Sequence, residues 1–186
     1  WPPSRSAAYR LTTCWDSSGN TIPCSGTGQD GEIQAGATLR YRDNGDGTIS
    51  DRTTKLMWEK KSDDGSIHDV DRIYTWKDAF EVHVATLNAT NFAGYNDWRL
   101  PNYKELMSIL DLGNAYPAVS PAFNTNCVPN VTVLDGSCTA TSVYWSSTTV
   151  ASRPILAWWV DFTFGIGLTF GKQDVIRVRA VRGGSP

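Results

Sequence analysis

Gly94-Tyr95-Asn96-Asp97-Trp98-Arg99-Leu100-Pro101-Asn102-Tyr103-Lys104-Glu105-Leu106 compresses a turn, an extended lead-in and a helix start into one stretch. Asn102 offers its side-chain oxygen as an N-cap and Glu105, three residues on, reaches back to the Asn102 amide. Tyr103, Leu106, Met107 and Leu110 then share one face of a helix that ends near Asp111 to Gly113. Pro101 biases Leu100 towards an extended backbone, so Asp97 to Leu100 enter the helix from a short extended segment. Side chains alternate there. Trp98 and Leu100 point one way as core anchors; Asp97 and Arg99 point the other way and, with Glu105, fix the neighbouring loops and the closing strand that carries Arg179 and Arg182.

Working back towards the N-terminus, Thr75 with Asp78 opens an earlier helix whose buried stripe is Trp76, Phe80, Val84 and Leu87. Before it, Leu39-Arg40-Tyr41 reads as a strand, Asp43-Asn44-Gly45-Asp46-Gly47 as a turn, Thr48-Ile49-Ser50 as its return and Leu56-Met57-Trp58-Glu59 as a third strand. The turn invites a calcium test. It fails at both ends, because a calcium-binding helix-loop-helix would need acids where Arg42 and Thr53 stand and its flanks are helices, which leaves calcium as a secondary possibility beside turn chemistry. Residues 1–36 are rich in Ser, Thr, Gly and Pro and form an arm, and 37–186 form one domain.

Towards the C-terminus, 114–141 lacks periodicity and reads as a long surface loop. After Ser142 the aromatic residues Tyr144, Trp145, Trp158, Trp159, Phe162, Phe164 and Phe170 crowd together, and the pattern is one of strands: a hairpin through Gly165 and Gly167, then Val175 to Val181 as the last strand. The order of strands, two helices, long loop and strands gives an α+β fold with two helices packed on short antiparallel sheets.

The 186 residues carry a net charge of −2 and a pI near 5.6. No global positive field draws such a chain to nucleic acid or to an anionic membrane surface, and no apolar run is long enough to span a bilayer. The chain starts at Trp1 without a signal segment, as a processed product or fragment does. Its four cysteines form two local pairs, Cys14 with Cys24 and Cys127 with Cys138. Four cysteines allow three pairings, and neighbours in loops close most easily, so two loop-stapling disulfides and an oxidising compartment are expected. A zinc site is the rival reading, disfavoured by the absence of C-x-x-C and of a histidine beside any cysteine.

Candidate chemistry is sparse. Of the two histidines, His83 lies near the apolar face of the first helix as a satisfied, partly buried group, and His68 sits in a Ser/Asp/Gly-rich loop, solvated. Neither accompanies a nucleophile elbow or a metal-binding helix motif. Asp97, Glu105, Asp111, Asp135, Asp161 and Asp174 cap helices, fill turns or meet arginines; sequence spacing brings no two together as an acid pair. Two surfaces remain. Trp and Tyr faces after Ser142 suit sugar rings or protein partners, and a basic ending, Lys172, Arg177, Arg179 and Arg182, pairs with inward acids or makes an outward anion patch, with Arg177 and Arg179 on one strand face.

The blocks Asp43 to Asp51, Leu56-Met57-Trp58, Gly94 to Pro101 with Glu105-Leu106, Tyr144-Trp145-Ser146-Ser147-Thr148, and Val178 to Gly184 together resemble a bacterial domain family named for the C-terminal domain of the Legionella collagen-like adhesin. The matched blocks run in the family's order over 39–184. More distantly, Trp98-Arg99-Leu100-Pro101 before a capped helix and the Arg-rich final strand are similar to the formylglycine-generating-enzyme branch of the C-type lectin-like fold. That branch depends on reactive cysteines near the C-terminus, and none follows Cys138 here, so this similarity implies fold and not activity. The nearer resemblance implies a secreted or surface-displayed binding domain, the collagen-like adhesin itself binding sulfated polysaccharides as a trimer; the slight acidity of this chain departs from such a ligand. The expectation is an extracellular, non-enzymatic, C-type lectin-like recognition domain with a glycan or protein ligand contacted by Tyr144, Trp158, Trp159, Phe164 and Lys172. The alternative is a structural subunit of a surface appendage or homo-oligomer that donates its arm to a neighbour.

Overall fold

The computed structural model describes residues 11–34 and 40–184. Cys14–Trp15 (β1) and Thr21–Ile22 (β2) pair antiparallel around Asp16, whose carboxylate accepts the Ser18 and Asn20 amides. The Cys14–Cys24 disulfide closes this unit. A single turn of helix, Asp30–Ile33 (α1), follows, and Glu32 accepts the Gly28 amide at 2.7 Å. Leu39, the expected strand start, lies outside the described residues, as do 1–10 and 35–36 of the arm and 37–38 at the start of the domain.

Tyr41–Asp43 (β3), Thr48–Asp51 (β4) and Leu56–Glu59 (β5) form an antiparallel meander. Its first turn uses its own side chains. Asn44 donates to Thr48 and Ser50 hydroxyls, Asp46 accepts the Thr48 amide and hydroxyl, and Asp43 accepts the Gly45 amide and, at 2.8 Å, the Lys60 ammonium. The oxygens that a calcium loop would converge are thus engaged in shaping a hairpin.

Ile73–Tyr74 (β6) leads into Trp76–Asp78 (α2), capped by Thr75, whose hydroxyl accepts the Asp78 amide and donates to its carboxylate. A π-helical turn, Ala79–Val84, continues into Ala85–Ala89 (α3). The wider turn sets Ala79, His83 and Val84 on the buried side, with Leu87 beyond them.

The stretch from Gly94 to Leu106 is the junction of the fold. Trp98 exchanges hydrogen bonds with the Asn88 side chain at the end of α3 and donates its indole N–H to Phe92. Arg99 exchanges two backbone bonds with Val181 at 2.9 Å. Asn102 and Glu105 complete a capping box on Tyr103–Met107 (α4). The helix is shorter than its periodicity predicts. It stops at Met107, and Leu110 instead bridges to Val119.

Residues 114–141 are not a surface loop throughout. Phe123 is fully buried and takes Tyr41 and Trp58 edge-on, at 4.8 and 6.2 Å between centroids, while Val119 and Val131 are also buried. The Cys127–Cys138 disulfide staples the outer part.

Val143–Thr149 (β7), Leu156–Asp161 (β8), Ile166–Gly171 (β9) and Ile176–Arg177 (β10) join β6 in a five-stranded sheet of order β6-β10-β7-β8-β9. The β10–β7 pairing is parallel, an exception to the expected antiparallel sheets. The expected last strand is also divided. After β10 the chain crosses between sheets, and Val181–Gly183 (β11) pairs with β5, completing a four-stranded sheet of order β11-β5-β4-β3.

The architecture is mixed α+β, and the central strands β7 and β8 of the five-stranded sheet are buried on both faces. Tyr144, Val160 and Phe162 pack with Leu106, Ile109, Phe123, Ile49 and Trp58 on one side; Trp145, Ala157 and Trp159 pack with Ala79, Val84, Leu100 and Ile176 on the other. No helix among the described residues is long and apolar enough to cross a membrane.

Candidate functional site

Two features stand out from the core: a buried charge cluster and an uncovered apolar surface. The cluster is built on Glu59, at the end of β5. Its fully buried carboxylate accepts Lys61 Nζ at 3.2 Å and His68 Nδ1 at 2.8 Å on one oxygen, and His83 Nε2 and the Ala180 amide, both at 2.9 Å, on the other. A carboxylate only accepts, so both histidines direct N–H groups at it. Burial works against its charge, but His83, Lys61 and His68 outweigh that and hold its pKa well below the usual range. Burial pushes the His83 pKa down against the pull of Glu59, and its Nδ1 is buried and unpartnered.

Beside this carboxylate, fully buried Arg179 donates to the Glu59 carbonyl, the Cys138 carbonyl and the Thr139 hydroxyl, and its guanidinium lies 5.2 Å from the Phe123 ring centre. The cluster clamps β5, the loop after it, the π-helical turn, the disulfide loop and the crossing between sheets. His68, expected to be solvated, is part of this clamp, its ring 4.3 Å from that of Phe92.

A second ionic set lies at the junction. Arg99 grips Glu105 through two bonds of 2.7 Å and donates to the Gly183 carbonyl; Arg182 grips Asp97 at 2.6 and 3.1 Å over the Tyr95 ring. Trp98 and Leu100 are buried beneath them. Arg177 faces away from Arg179, binding the Val70 carbonyl, Ser142 and Asp71. The division of the last strand separates these arginines, so no outward patch forms from all of them.

The expected ligand residues scatter. Tyr144 is fully buried and its hydroxyl accepts the Ala140 amide, while Trp159 is nearly so, stacked on Phe170 at 4.7 Å. Both belong to the core because α2–α3 and α4 cover the two faces of the sheet. Trp158 is half-buried against Tyr103, 5.0 Å between centroids. Lys172 lies 3.9 Å from the Trp76 ring centre and donates to Thr149. Phe164 alone of the set is broadly exposed, at 62%.

Phe164 has an unforeseen neighbour. Tyr116, from the 114–141 segment, is 65% exposed and stands edge-on to it at 6.2 Å. The Ala118 amide donates to the Phe162 carbonyl at 2.7 Å and Leu112 fills the space beside Gly165, where a Cβ would meet it at 2.1 Å. These contacts seat the two rings together. Ile166, Leu168 and Phe170 continue the apolar surface along β9. Its signal was present in the strict bulky/small alternation of Ile166-Gly167-Leu168-Thr169-Phe170-Gly171.

Among the described residues, Asp63, Asp69 and Asp71 bring carboxylate oxygens within 4.8 Å of one another. Asp69 accepts the Gly65 and Asp71 amides, and Asp71 pairs with Arg177. Backbone amides thus engage Asp69 and one guanidinium engages Asp71.

A comparison with curated proteins yields no match. The sequence model of the Lcl C-terminal domain matches residues 47–182, from the first hairpin through Arg182 in β11. That range holds the Glu59 clamp, the junction and the Tyr116/Phe164 surface. The chain therefore belongs to the Lcl C-terminal domain family, an adhesin-related family.

Proposed function

We propose that this chain is an extracellular, non-enzymatic recognition domain that holds a carbohydrate or another surface partner against Tyr116 and Phe164. The observation that carries the reading is the pair itself: two aromatic rings, both more than half exposed, supplied by separate segments and seated by backbone bonds beneath them. Flat apolar faces with a phenolic edge suit sugar rings and interface anchors alike. Two disulfides fit an oxidising, extracellular setting. The C-type lectin-like reading of the fold, resting on the Trp98 to Pro101 lead-in and the Arg-rich ending, belongs with this proposal.

The test is a glycan array and a cell-surface binding assay with the purified chain, wild type against Tyr116→Ala and Phe164→Ala. Each variant is expected to lose at least ten-fold in binding with a thermal midpoint within about 3 °C of wild type, since exposed side chains contribute little to stability. Binding unchanged in both variants would place the ligand elsewhere.

A further inference from the structure

Among the described residues, the five-stranded sheet ends in an unguarded edge at β9. Lys172 N donates to Ile155 O at 3.0 Å, and the β8–β9 register runs unbroken from Leu156 opposite Gly171 to Asp161 opposite Ile166. Ladder bonds alternate in an antiparallel pair, so Phe170, Leu168 and Ile166 exchange bonds with β8. The N–H and C=O groups of Gly167 and Thr169 therefore point outward, and among the described residues they find no other partner.

The remaining edges of the two large sheets are blunted. β6 has two residues, β3 carries Arg42 and Asp43, and β11 is closed by the reciprocal bonds with Arg99. β9 has six residues, none of them charged and none proline, and presents Ile166, Leu168 and Phe170 on one face at 45, 53 and 38% exposure. No ionisable side chain occurs from Phe162 to Gly171. Folded proteins guard such edges or cover them with another strand.

We propose that a second copy of this chain covers the edge, β9 against β9 in antiparallel pairing about a two-fold axis at Leu168, joining two sheets into one. In this register Leu168 meets its own counterpart at a non-hydrogen-bonded position, Ile166 stands opposite Phe170, and Gly167 exchanges both backbone bonds with Thr169. A slip of one residue would put the bulky row of one copy opposite the Gly167/Thr169 row of the other and split the apolar surface between two faces. A second copy suits the edge because it brings the same alternation and the same lack of charge: pairing buries no unpaired ion. The register also sets Phe164 of one copy opposite Lys172 of the other. Two residues at opposite ends of the hairpin meet only in the pair.

A single paired edge covers less than the roughly 800 Å² per partner of a standard interface, so the dissociation constant is expected on the order of 10–100 μM. Sedimentation equilibrium of the chain from about 1 to 500 μM is the test, since that range brackets the expected constant. Wild type should climb from one chain to two. Thr169→Pro removes an outward N–H and spares the β8 ladder, a position where an edge strand accepts proline; Leu168→Lys sets like charges together on the axis. Both should remain at one chain, each with a thermal midpoint within about 5 °C of wild type. Should Thr169→Pro fail to fold, Leu168→Lys, at an exposed position, decides alone. Wild type at one chain throughout, a limiting mass of three, or a folded variant that pairs like wild type overturns the proposal; the first outcome leaves the edge to a foreign strand. The ligand reading is decided separately by Tyr116→Ala, because Tyr116 lies outside the pairing register, whereas Phe164 stands within it.

Discussion

Replacing Glu59 by glutamine tests whether the buried clamp organises the fold. The change keeps shape and removes one negative charge that four N–H donors share, those of Lys61, His68, His83 and Ala180. The amide nitrogen of glutamine would face donors, and the buried Lys61 ammonium would lose its counter-charge. Breaking a buried pair from one side costs about 3–5 kcal/mol, against roughly 5–15 kcal/mol of total stability for a domain. For a chain of this size each kcal/mol moves the midpoint by about 2–4 °C, so Glu59→Gln should melt roughly 6–20 °C lower at pH 7. Adding Lys61→Met removes the stranded charge and should recover part of the loss. A Glu59→Gln loss below about 1 kcal/mol by urea unfolding would refute the reasoning. The clamp also predicts a pH profile. His83 and Glu59 both have depressed values in the folded state, so the unfolded chain takes up protons first on acidification. Their contribution is present above the ordinary histidine value of about 6.5, begins to fall below it, and falls further below about 4.3 as Glu59 is drawn in. The midpoint should therefore drop from pH 7 to pH 5 in wild type and drop less in His83→Gln; a flat wild-type profile over that window contradicts a depressed His83.

Two further changes probe the parts that seat the surface. Gly167→Ala would place a Cβ 2.0 Å from the Tyr103 hydroxyl and 2.6 Å from ring carbons, forcing the ring off Trp158; a loss of about 1–3 kcal/mol in urea unfolding is expected, and none would mean the ring moves freely. Replacing Cys127 and Cys138 by serine opens a loop of sequence separation 11 and should cost about 2–3 kcal/mol by loop entropy, with Phe123 and Arg179 losing their fixed neighbours; an unchanged midpoint would show that the segment is held by packing alone.

The junction was legible in the sequence because its chemistry is short-range. A cap and its reciprocal acid lie three residues apart, and proline acts on the residue before it. The same is true of the Thr75 cap and of the turn at Asp43 to Gly47. Glu59-Lys60-Lys61 was not legible: after an apolar strand, consecutive charges read as a chain turning into solvent. Their burial depends on Asp43, 17 residues back, on His83, 24 residues on, and on Ala180, 121 residues on. His68 was misjudged for the same reason, since its loop composition is polar while its ring rests on Phe92. The one local hint was that no turn residue interrupts Leu56 to Ser62.

The aromatic strands show a different limit. Alternation separates Trp158 from Trp159, and the register sets Trp145 opposite Trp159, but which face is wet depends on where α2–α3 and α4 land, and both faces of β7 and β8 prove covered. Among the described residues, the long outer strand β9 outruns the helices. Exposure therefore follows position in the sheet more than residue type: Tyr144 and Trp159 sit in central strands and become core, whereas Phe164, Ile166 and Leu168 lie on the last hairpin and remain uncovered. The C-terminal segment obeys the same logic. Read as one strand, Val175 to Val181 places Arg177 and Arg179 together; divided between two sheets, it sends Arg177 to Asp71 and buries Arg179 among carbonyls at the crossing. That crossing ties the recognition sheet to the hairpin sheet, and the Glu59 clamp closes over it. The clamp thus fixes Arg179 and Ala180 between β10 and β11, so the sheet whose β8–β9 turn carries Phe164 is tied to the hairpin sheet by charges distant from Phe164 in the structure's core.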